Sequence, residues 1–428
     1  MSALDETLPE GVQDALDAVA ALDAGLIGGL SRLGGPARAQ VEGLPSLFAG
    51  TPLAPALERA APGFAKGTPT DDDVAALAAA RASLLGAVHD ALVAQACAAL
   101  GLEAPADPVL GAPVALSDED EAPLRNARHW LLELASAGLS QVSPDAVAPF
   151  ASTLETLAER PALQRAAVML TGFFDELAEA LPLASRDDAP VPRWPDLWMQ
   201  SVIAAGPRLA VEEAPFEGAL LPLGVELRHH DHAIAAVVHG ALDGALVRAT
   251  FTGWKVDALL GDEALRVLPA PALEAMTSDV ALAVKGVRRG ADLLVTEVKA
   301  GAKHDPYTLG ALPFTCAAPA DRHPVQIAIP VVLPECRVSA GRVEPLGVRL
   351  ADERVSPLYA AKKGQLEEAD AMIGLLRWDD GWALQPLDAK IGKDRWSLDA
   401  AVTAAKKASK TTDTLSVLTE RAGKLLRS

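Results

Sequence analysis

The residues of this chain that are best suited to chemistry lie in one stretch, SDVALAVKGVRRGADLLVTEVKAG, residues 278–301. Its alternation of apolar and polar residues predicts two strands joined by a glycine-bounded turn. Asp279 opens the first strand, and Glu297 and Lys299 lie near the end of the second. Because alternate residues of a strand share a face, Glu297 and Lys299 point the same way, about 6.6 Å apart along the strand. Carboxylate oxygens suit Mg²⁺, and a lysine can stabilise a developing oxyanion.

This arrangement resembles the core motif of the PD-(D/E)XK nuclease superfamily, in which an acid on one strand and an E-x-K on the next bind a divalent metal. The resemblance implies that Asp279 and Glu297 are ligands of Mg²⁺ and that Lys299 is the charge-stabilising catalytic residue at a phosphodiester. Members of the superfamily usually continue into an amphipathic helix, whereas here GAKHDPYTLGALPFTC contains Pro306 and Pro313 and predicts none. The alternative interpretation is an ordinary hairpin with one solvent-exposed face.

A second candidate site is Trp254, which stands beside Lys255 in the stretch FTGWK. An aromatic side chain next to a base can form a stacking platform for single-stranded nucleic acid, as in OB-like barrels. A tryptophan that packs across a hairpin would give the same pattern.

Several motifs that mark common enzyme classes do not occur in the chain. There is no GxxxxGK[ST], GxGxxG, HExxH or GxSxG sequence. This pattern argues against P-loop NTPases, dinucleotide-dependent oxidoreductases, zincin proteases and α/β-hydrolases. No cofactor is therefore predicted, apart from Mg²⁺ under the nuclease hypothesis.

The first half of the chain carries clear signals for helices. Thr70 followed by three acids at 71–73 supplies a cap and negative charge at a helix start, and Gly101 supplies the stop. Ser117 and the acids after it repeat this start signal, with a stop at Gly138. The acid runs are thereby explained as helix caps, and we do not assign them to a cation.

The backbone pattern changes after Trp194 and Trp198. From Gly224 onward, short runs of Val, Leu, Ile and Thr are broken by Gly, Pro and Asp, which is typical of antiparallel strands and hairpins. The predicted fold class is α+β, with an all-α domain followed by an antiparallel β-rich domain and a C-terminal helix. The predicted divisions are an acidic helical domain at 1–183, a Trp/Pro-rich linker at 184–215, a β-rich domain at 216–395 and a basic helix at 396–428.

Two predicted hairpins resemble each other. VVHGALDGALVRATF and AVKGVRRGADLLVTEV each contain a strand, a Gly-x-x-x-Gly turn and a second strand. The similarity is compatible with an internal duplication and also with chance, because glycine-bounded turns are common between apolar strands.

The charge of −19 is unevenly spread along the 428 residues. Residues 1–215 hold 30 acidic and 12 basic side chains, whereas residues 390–428 hold 4 acidic and 9 basic ones. An acidic surface repels phosphate backbones, so a nucleic-acid partner is not expected for residues 1–215 and is compatible only with the C-terminal part. The acidic N-terminus does not fit a secretory signal, and three widely spaced cysteines do not indicate a disulfide framework. We therefore expect a cytoplasmic protein without a membrane partner.

These patterns lead to three functional hypotheses. The favoured one is a non-catalytic interaction or scaffolding component that binds other proteins within an assembly. The second is a Mg²⁺-dependent nuclease that uses Asp279, Glu297 and Lys299, and the third is an OB-like nucleic-acid-binding module. The sequence leaves open whether the protein is an enzyme.

Overall fold

The computed structural model describes residues 3–4, 7–113, 115–207, 209–229, 233–255, 261–276, 279–359 and 363–409. Within these ranges it confirms the predicted fold class: a helical region, then a β-rich region, then a C-terminal helix. The predicted basic helix at 396–428 is described only as far as residue 409, so its remainder lies outside the described residues.

The helical region consists of short and medium helices around one long helix, α4. Two further helices, α10 and α11, lie later in the chain. The bounds of the helices are α1 Val12–Gly28, α2 Gly35–Leu47, α3 Ala54–Lys66, α4 Asp71–Leu100, α5 Asp118–Ala137, α6 Pro144–Val147, α7 Ala151–Ala158, α8 Gln164–Ala180, α9 Arg193–Ala204, α10 Ala270–Ala275 and α11 Asp399–Ser409.

The predicted caps of α4 are confirmed. The Thr70 side chain accepts a hydrogen bond from the Asp73 backbone N–H, and the Thr70 N–H donates to Asp73 Oδ2 at 2.9 Å. This reciprocal pair satisfies two backbone donors at the helix start. Gly101 ends the helix with φ of 70°, in the left-handed region that glycine adopts without strain.

The helix α4 belongs to two hydrophobic cores. Its first half contributes residues such as Leu77 and Leu84 to the core of the helical region. Its second half contributes Val88, Leu92 and Ala96 to the core of the β-rich region. By length and composition α4 could also cross a bilayer, because an 18-residue stretch of it has a mean hydropathy of 1.4, but 61% of that stretch is buried inside the protein. We therefore interpret its apolar surface as core surface.

The helical region extends further than the predicted boundary at 183. The segment predicted as a linker, 184–215, contains α9, in which Trp194 and Trp198 are fully buried among the other helices. The indole N–H of Trp198 donates to the carbonyl of Leu131 at 3.0 Å. Two buried tryptophans supply a large apolar area, so this segment is part of the helical core, which ends at Ala204.

The strands of the β-rich region, together with one strand inserted between α4 and α5, form three sheets. Their bounds are β1 Leu110–Pro113, β2 Leu209–Val211, β3 Glu213–His229, β4 Ala233–Leu242, β5 Ala245–Trp254, β6 Val280–Arg289, β7 Asp292–Lys303, β8 Ile329–Leu333, β9 Arg337–Ser339, β10 Arg342–Glu344, β11 Val348–Leu350, β12 Ala371–Trp378, β13 Trp382–Ile391 and β14 Asp394–Trp396.

Five of these strands close into a barrel with the order β3-β4-β5-β7-β6. The long strand β3 pairs with β6 through its first half and with β4 through its second half, both antiparallel. Only β5 and β7 run parallel, and they pair at Arg248↔Asp292 and Ala249↔Leu293. The helix α10 lies between β5 and β6 in the chain and packs into the same core as the barrel strands. A closed five-stranded barrel of this kind has the architecture of an OB-fold.

A second sheet packs against the barrel. Its strand order is β8-β12-β13-β11-β10-β9, and β14 pairs with the last three residues of β13. The sequence WDDG forms a tight hairpin, in which Trp378 pairs with Trp382 and Asp380 has φ of 51°. The remaining sheet is the two-stranded ribbon of β1 and β2, which we call the β1–β2 ribbon.

Candidate functional site

The predicted nuclease residues lie on the predicted hairpin, which is β6 and β7, but not together. The carbonyl of Asp279 accepts a hydrogen bond from the His304 N–H at 2.7 Å, whereas Glu297 lies opposite Lys285. Six positions of β6 separate these two levels, which corresponds to about 20 Å. In this register the carboxylates of Asp279 and Glu297 cannot ligate one Mg²⁺ ion, and we do not propose a metal site there.

Glu297 and Lys299 do share a face, and that face is exposed to solvent. Glu297 lies opposite Lys285, and Lys285 lies opposite Glu217, with 4.0 Å between Lys285 Nζ and Glu217 Oε2. Cross-strand neighbours of opposite charge contribute modestly to sheet pairing. This geometry matches the alternative interpretation, an ordinary hairpin with one solvent-exposed face. Across the described part of the chain, no group of three or more His, Cys, Asp and Glu side chains is arranged to hold a metal.

The tryptophan predicted as a stacking platform lies at the end of β5. Trp254 is 80% exposed and pairs with Ala233. Lys255 follows Trp254 directly in the chain. An exposed tryptophan beside a basic residue is compatible with stacking on a base.

The outer face of β4, by contrast, is covered. Side chains on both faces of this strand are buried, for example the neighbours Val237 and Val238 at 1% and 0% exposure. The second sheet contacts the barrel here: Tyr359 Oη donates to the carbonyl of Val225, and a Cβ on Gly224 would lie 2.6 Å from Leu387. Around Val237 the strand is buried on both faces and has no free surface for a ligand, and only its far end, near His239, borders a cavity.

A buried polar cluster lies in this contact between barrel and second sheet. Arg377 donates to Glu226 Oε1 at 2.5 Å and to Gln385 at 2.6 Å, and Arg228 donates to Glu226 Oε2 at 2.9 Å. Burial opposes ionisation of Glu226, but His239 and the two arginines outweigh burial and hold its pKa well below the usual range. The carboxylate is therefore charged and fully engaged, which indicates a structural contact.

The structure instead contains a cleft between the helical region and the barrel. This outer cleft has a volume of about 760 Å³ and lies among α8, α9, the β1–β2 ribbon and the start of β3. Side chains that line it include Leu110, Met169, Ile203, Leu209, Val211 and Arg289. Leu209 and Leu110 are 52% and 37% exposed, so the ribbon presents apolar side chains to solvent.

A smaller space, which we call the inner chamber, adjoins the outer cleft. This inner chamber has a volume of about 420 Å³ and shares Arg165, Met169 and Arg289 with the cleft. Its floor is the outer face of the β4–β5 hairpin at the barrel end, where His239 and Arg248 lie directly opposite each other. The chamber is walled by α4 on one side and by the start of β8 on the other.

The helical region is held to the β-rich region by a buried group that we call the Arg81 cluster: Asp23, Arg81, Asp196 and His323. Arg81 donates to both Asp23 oxygens, at 2.6 and 2.8 Å, and lies 2.6 Å from Asp196 Oδ1. His323 Nε2 lies 3.3 Å from the same Asp196 oxygen, and its Nδ1 accepts from the Val325 N–H. The guanidinium thus joins three helices, and Asp196 links them to a loop of the β-rich region through His323.

Further ion pairs connect that loop to the helical region at the surface. Arg322 donates to Asp90 at 2.7 Å and also to Asp107. Arg165 of α8 pairs with Asp321, at the boundary between the outer cleft and the inner chamber. The walls of the cleft are therefore fixed by charged contacts from segments far apart in the chain.

Sequence patterns did not identify the cleft or the Arg81 cluster. Arg81 stands alone among apolar residues of α4, and a lone charge on an otherwise apolar helix face is the one local signal. The partners Asp23, Asp196 and His323 lie 58 or more positions away. Comparison of the chain with known protein families, curated proteins and solved structures gives no match. The function is therefore inferred from geometry alone.

Proposed function

We propose that the protein is a non-catalytic, cytoplasmic interaction or scaffolding component that binds a partner protein through the outer cleft and the β1–β2 ribbon. The proposal is supported most by one observation: a largely apolar cleft opens beside leucines that remain exposed. Exposed apolar surface of this kind, with a charged rim, is typical of protein-binding surfaces.

The charges of the cleft indicate the chemistry of the partner. The side chains at its rim include Glu212, Glu213 and Asp321, against Arg165 and Arg289. The excess of acid agrees with the charge of residues 1–215. We therefore expect a partner segment that combines apolar side chains with basic residues, because complementary charge guides association and excludes wrong partners.

A free strand edge is a weaker candidate for the contact. The ribbon strand β1 pairs only with β2 among the described strands, which leaves one edge for an added strand. However, Pro113 lies within β1 and Pro108 just before it. Because proline lacks an N–H donor and blunts a sheet edge, side-chain contacts in the cleft are the favoured mode.

The test is site-specific photocrosslinking in the cells that make the protein. A photoreactive residue at Leu209 lies at the outer cleft, whereas one at Leu47, on α2 and 55% exposed, serves as a matched control. We expect Leu209 to crosslink one identifiable protein that Leu47 does not. Crosslinking to the same proteins from both positions would contradict the proposed surface.

A second candidate function is binding of single-stranded nucleic acid, favoured by the OB-like strand order and the exposure of Trp254. It would use the end of β5, because the outer face of β4 is buried. Salt-sensitive binding of an oligonucleotide that is lost on Trp254→Ala would support this alternative, and binding that is unchanged in the variant would exclude it.

A further inference from the structure

The inner chamber combines apolar walls with a few convergent polar groups. Small or apolar side chains such as Ala291, Ala317, Ala328 and Ile329 form much of its lining. A volume of about 420 Å³ lies within the range of small-molecule sites, which occur preferentially at domain interfaces and barrel mouths.

Guanidinium groups supply an excess of hydrogen-bond donors around this space. Arg248 uses Nε and Nη2 to bind both oxygens of Asp292, which leaves the hydrogens of Nη1 available. Arg165 pairs with Asp321, and Arg289 binds a single oxygen of Glu213. Each guanidinium has five N–H donors, so one carboxylate does not exhaust it. A ligand of the chamber would therefore carry acceptor oxygens.

The floor of the chamber also contains a buried nitrogen with no partner. His239 is 2% exposed, and its Nε2 makes no hydrogen bond in the described structure. Its Nε2 has no accessible surface and lies 3.8 Å from Glu226 Oε2, so this atom faces the protein and is out of reach of a ligand in the chamber. The donors that a ligand can use are therefore the guanidiniums.

We propose that the inner chamber binds a small apolar carboxylate, whose oxygens accept hydrogen bonds from Arg248 and the neighbouring guanidiniums while its aliphatic part fills the space beside Ala328 and Ile329. A carboxylate suits the planar donor pattern of guanidinium. The chamber adjoins the outer cleft and shares Arg165, Met169 and Arg289 with it, but the proposal does not depend on the protein contact.

Octanoate and octan-1-ol are matched probes, with the same chain length and with or without the carboxylate. We expect isothermal titration calorimetry to show one saturable octanoate site per chain, with octan-1-ol at least about tenfold weaker, as loss of a charge-assisted hydrogen bond implies. Equal affinity for the two probes, or no saturable octanoate binding, would overturn the proposal.

Three variants locate the site. Arg248→Met should weaken octanoate binding about tenfold, whereas Arg349→Met, which removes a similarly exposed arginine on β11, should leave it unchanged. Ala328→Phe should fill the chamber and abolish binding. Circular dichroism confirms that each variant is folded. If Arg248→Met fails to fold, Arg165→Met at the chamber mouth takes its place. In either case, unchanged octanoate binding by Ala328→Phe would contradict the assignment of the site.

Discussion

Arg81→Met is the substitution whose effect follows most directly from the structure. The side chain is 1% exposed and is bonded to two carboxylates, of which Asp23 is equally buried. Methionine keeps most of the volume and apolar contact of the arginine stem but removes the charge. The variant therefore leaves the carboxylates of Asp23 and Asp196 facing each other without the guanidinium that neutralises them.

The expected loss of stability is large. Removal of one partner from a buried ion pair costs about 3–5 kcal/mol of unfolding free energy, because the remaining charge is left unpaired away from water. Burial already raises the pKa of Asp23, against the opposing effect of Arg81. Without Arg81 that pKa rises further, so the folded variant binds a proton more tightly than its unfolded chain. The loss of unfolding free energy relative to wild type should therefore be smaller near pH 4 than at pH 7.5.

Urea unfolding followed by tryptophan fluorescence measures this loss, because Trp194 and Trp198 are buried on α9 beside the cluster. The control is Arg349→Met, which breaks an exposed pair with Glu353 and should change the unfolding free energy by less than about 0.5 kcal/mol. Combining Arg81→Met with Asp23→Leu should recover part of the loss. If Arg81→Met alone is within about 1 kcal/mol of wild type at pH 7.5, the cluster does not hold the regions together.

Three further substitutions test other parts of the account. Lys299→Ala should change the unfolding free energy by less than about 0.5 kcal/mol in a urea titration, because the side chain is on the exposed face of β7; a loss above 2 kcal/mol would contradict that placement. Burial raises the pKa of Asp388 to about 6, so this group lowers the unfolding free energy by up to about 3 kcal/mol as pH rises from about 4 to 6. Asp388→Asn should remove this pH dependence from the unfolding free energy. Wild type and variant with the same pH dependence would contradict the assignment. Gly286→Val should cost more than about 2 kcal/mol in thermal unfolding, because a Cβ there would lie 2.0 Å from the carbonyl oxygen of Leu294, whereas Gly310→Ala has open space and should be neutral.

The local features of the fold could be predicted because their causes are local. The cap at Thr70, the stop at Gly101 and the hairpin at Asp380 each depend on a few adjacent residues. Closure of the barrel could not be predicted, because the pairing of β3 with β6 joins residues more than 60 positions apart. No local pattern specifies that pairing.

The candidate sites were harder to predict for the same reason. The sequence placed Glu297 and Lys299 on one face, and the structure agrees, but the position of Asp279 depends on the turn register between β6 and β7. Likewise, the segment that contains Trp194 and Trp198 is predicted as a linker because its prolines and charges are typical of one. In the structure both tryptophans are buried in the helical core. The outer cleft arises only when four parts of the chain come together, at 110, 165–213, 289 and 318–321.

The central claim is that the outer cleft beside the ribbon binds a partner protein, and an affinity measurement tests it most directly. Once crosslinking has identified the partner, its dissociation constant is measured by calorimetry for wild type, Leu209→Glu and the matched Leu47→Glu. A charge in the apolar contact should weaken binding by at least about tenfold for Leu209→Glu and leave Leu47→Glu unchanged. Equal affinity of the partner for all three proteins would contradict the claim.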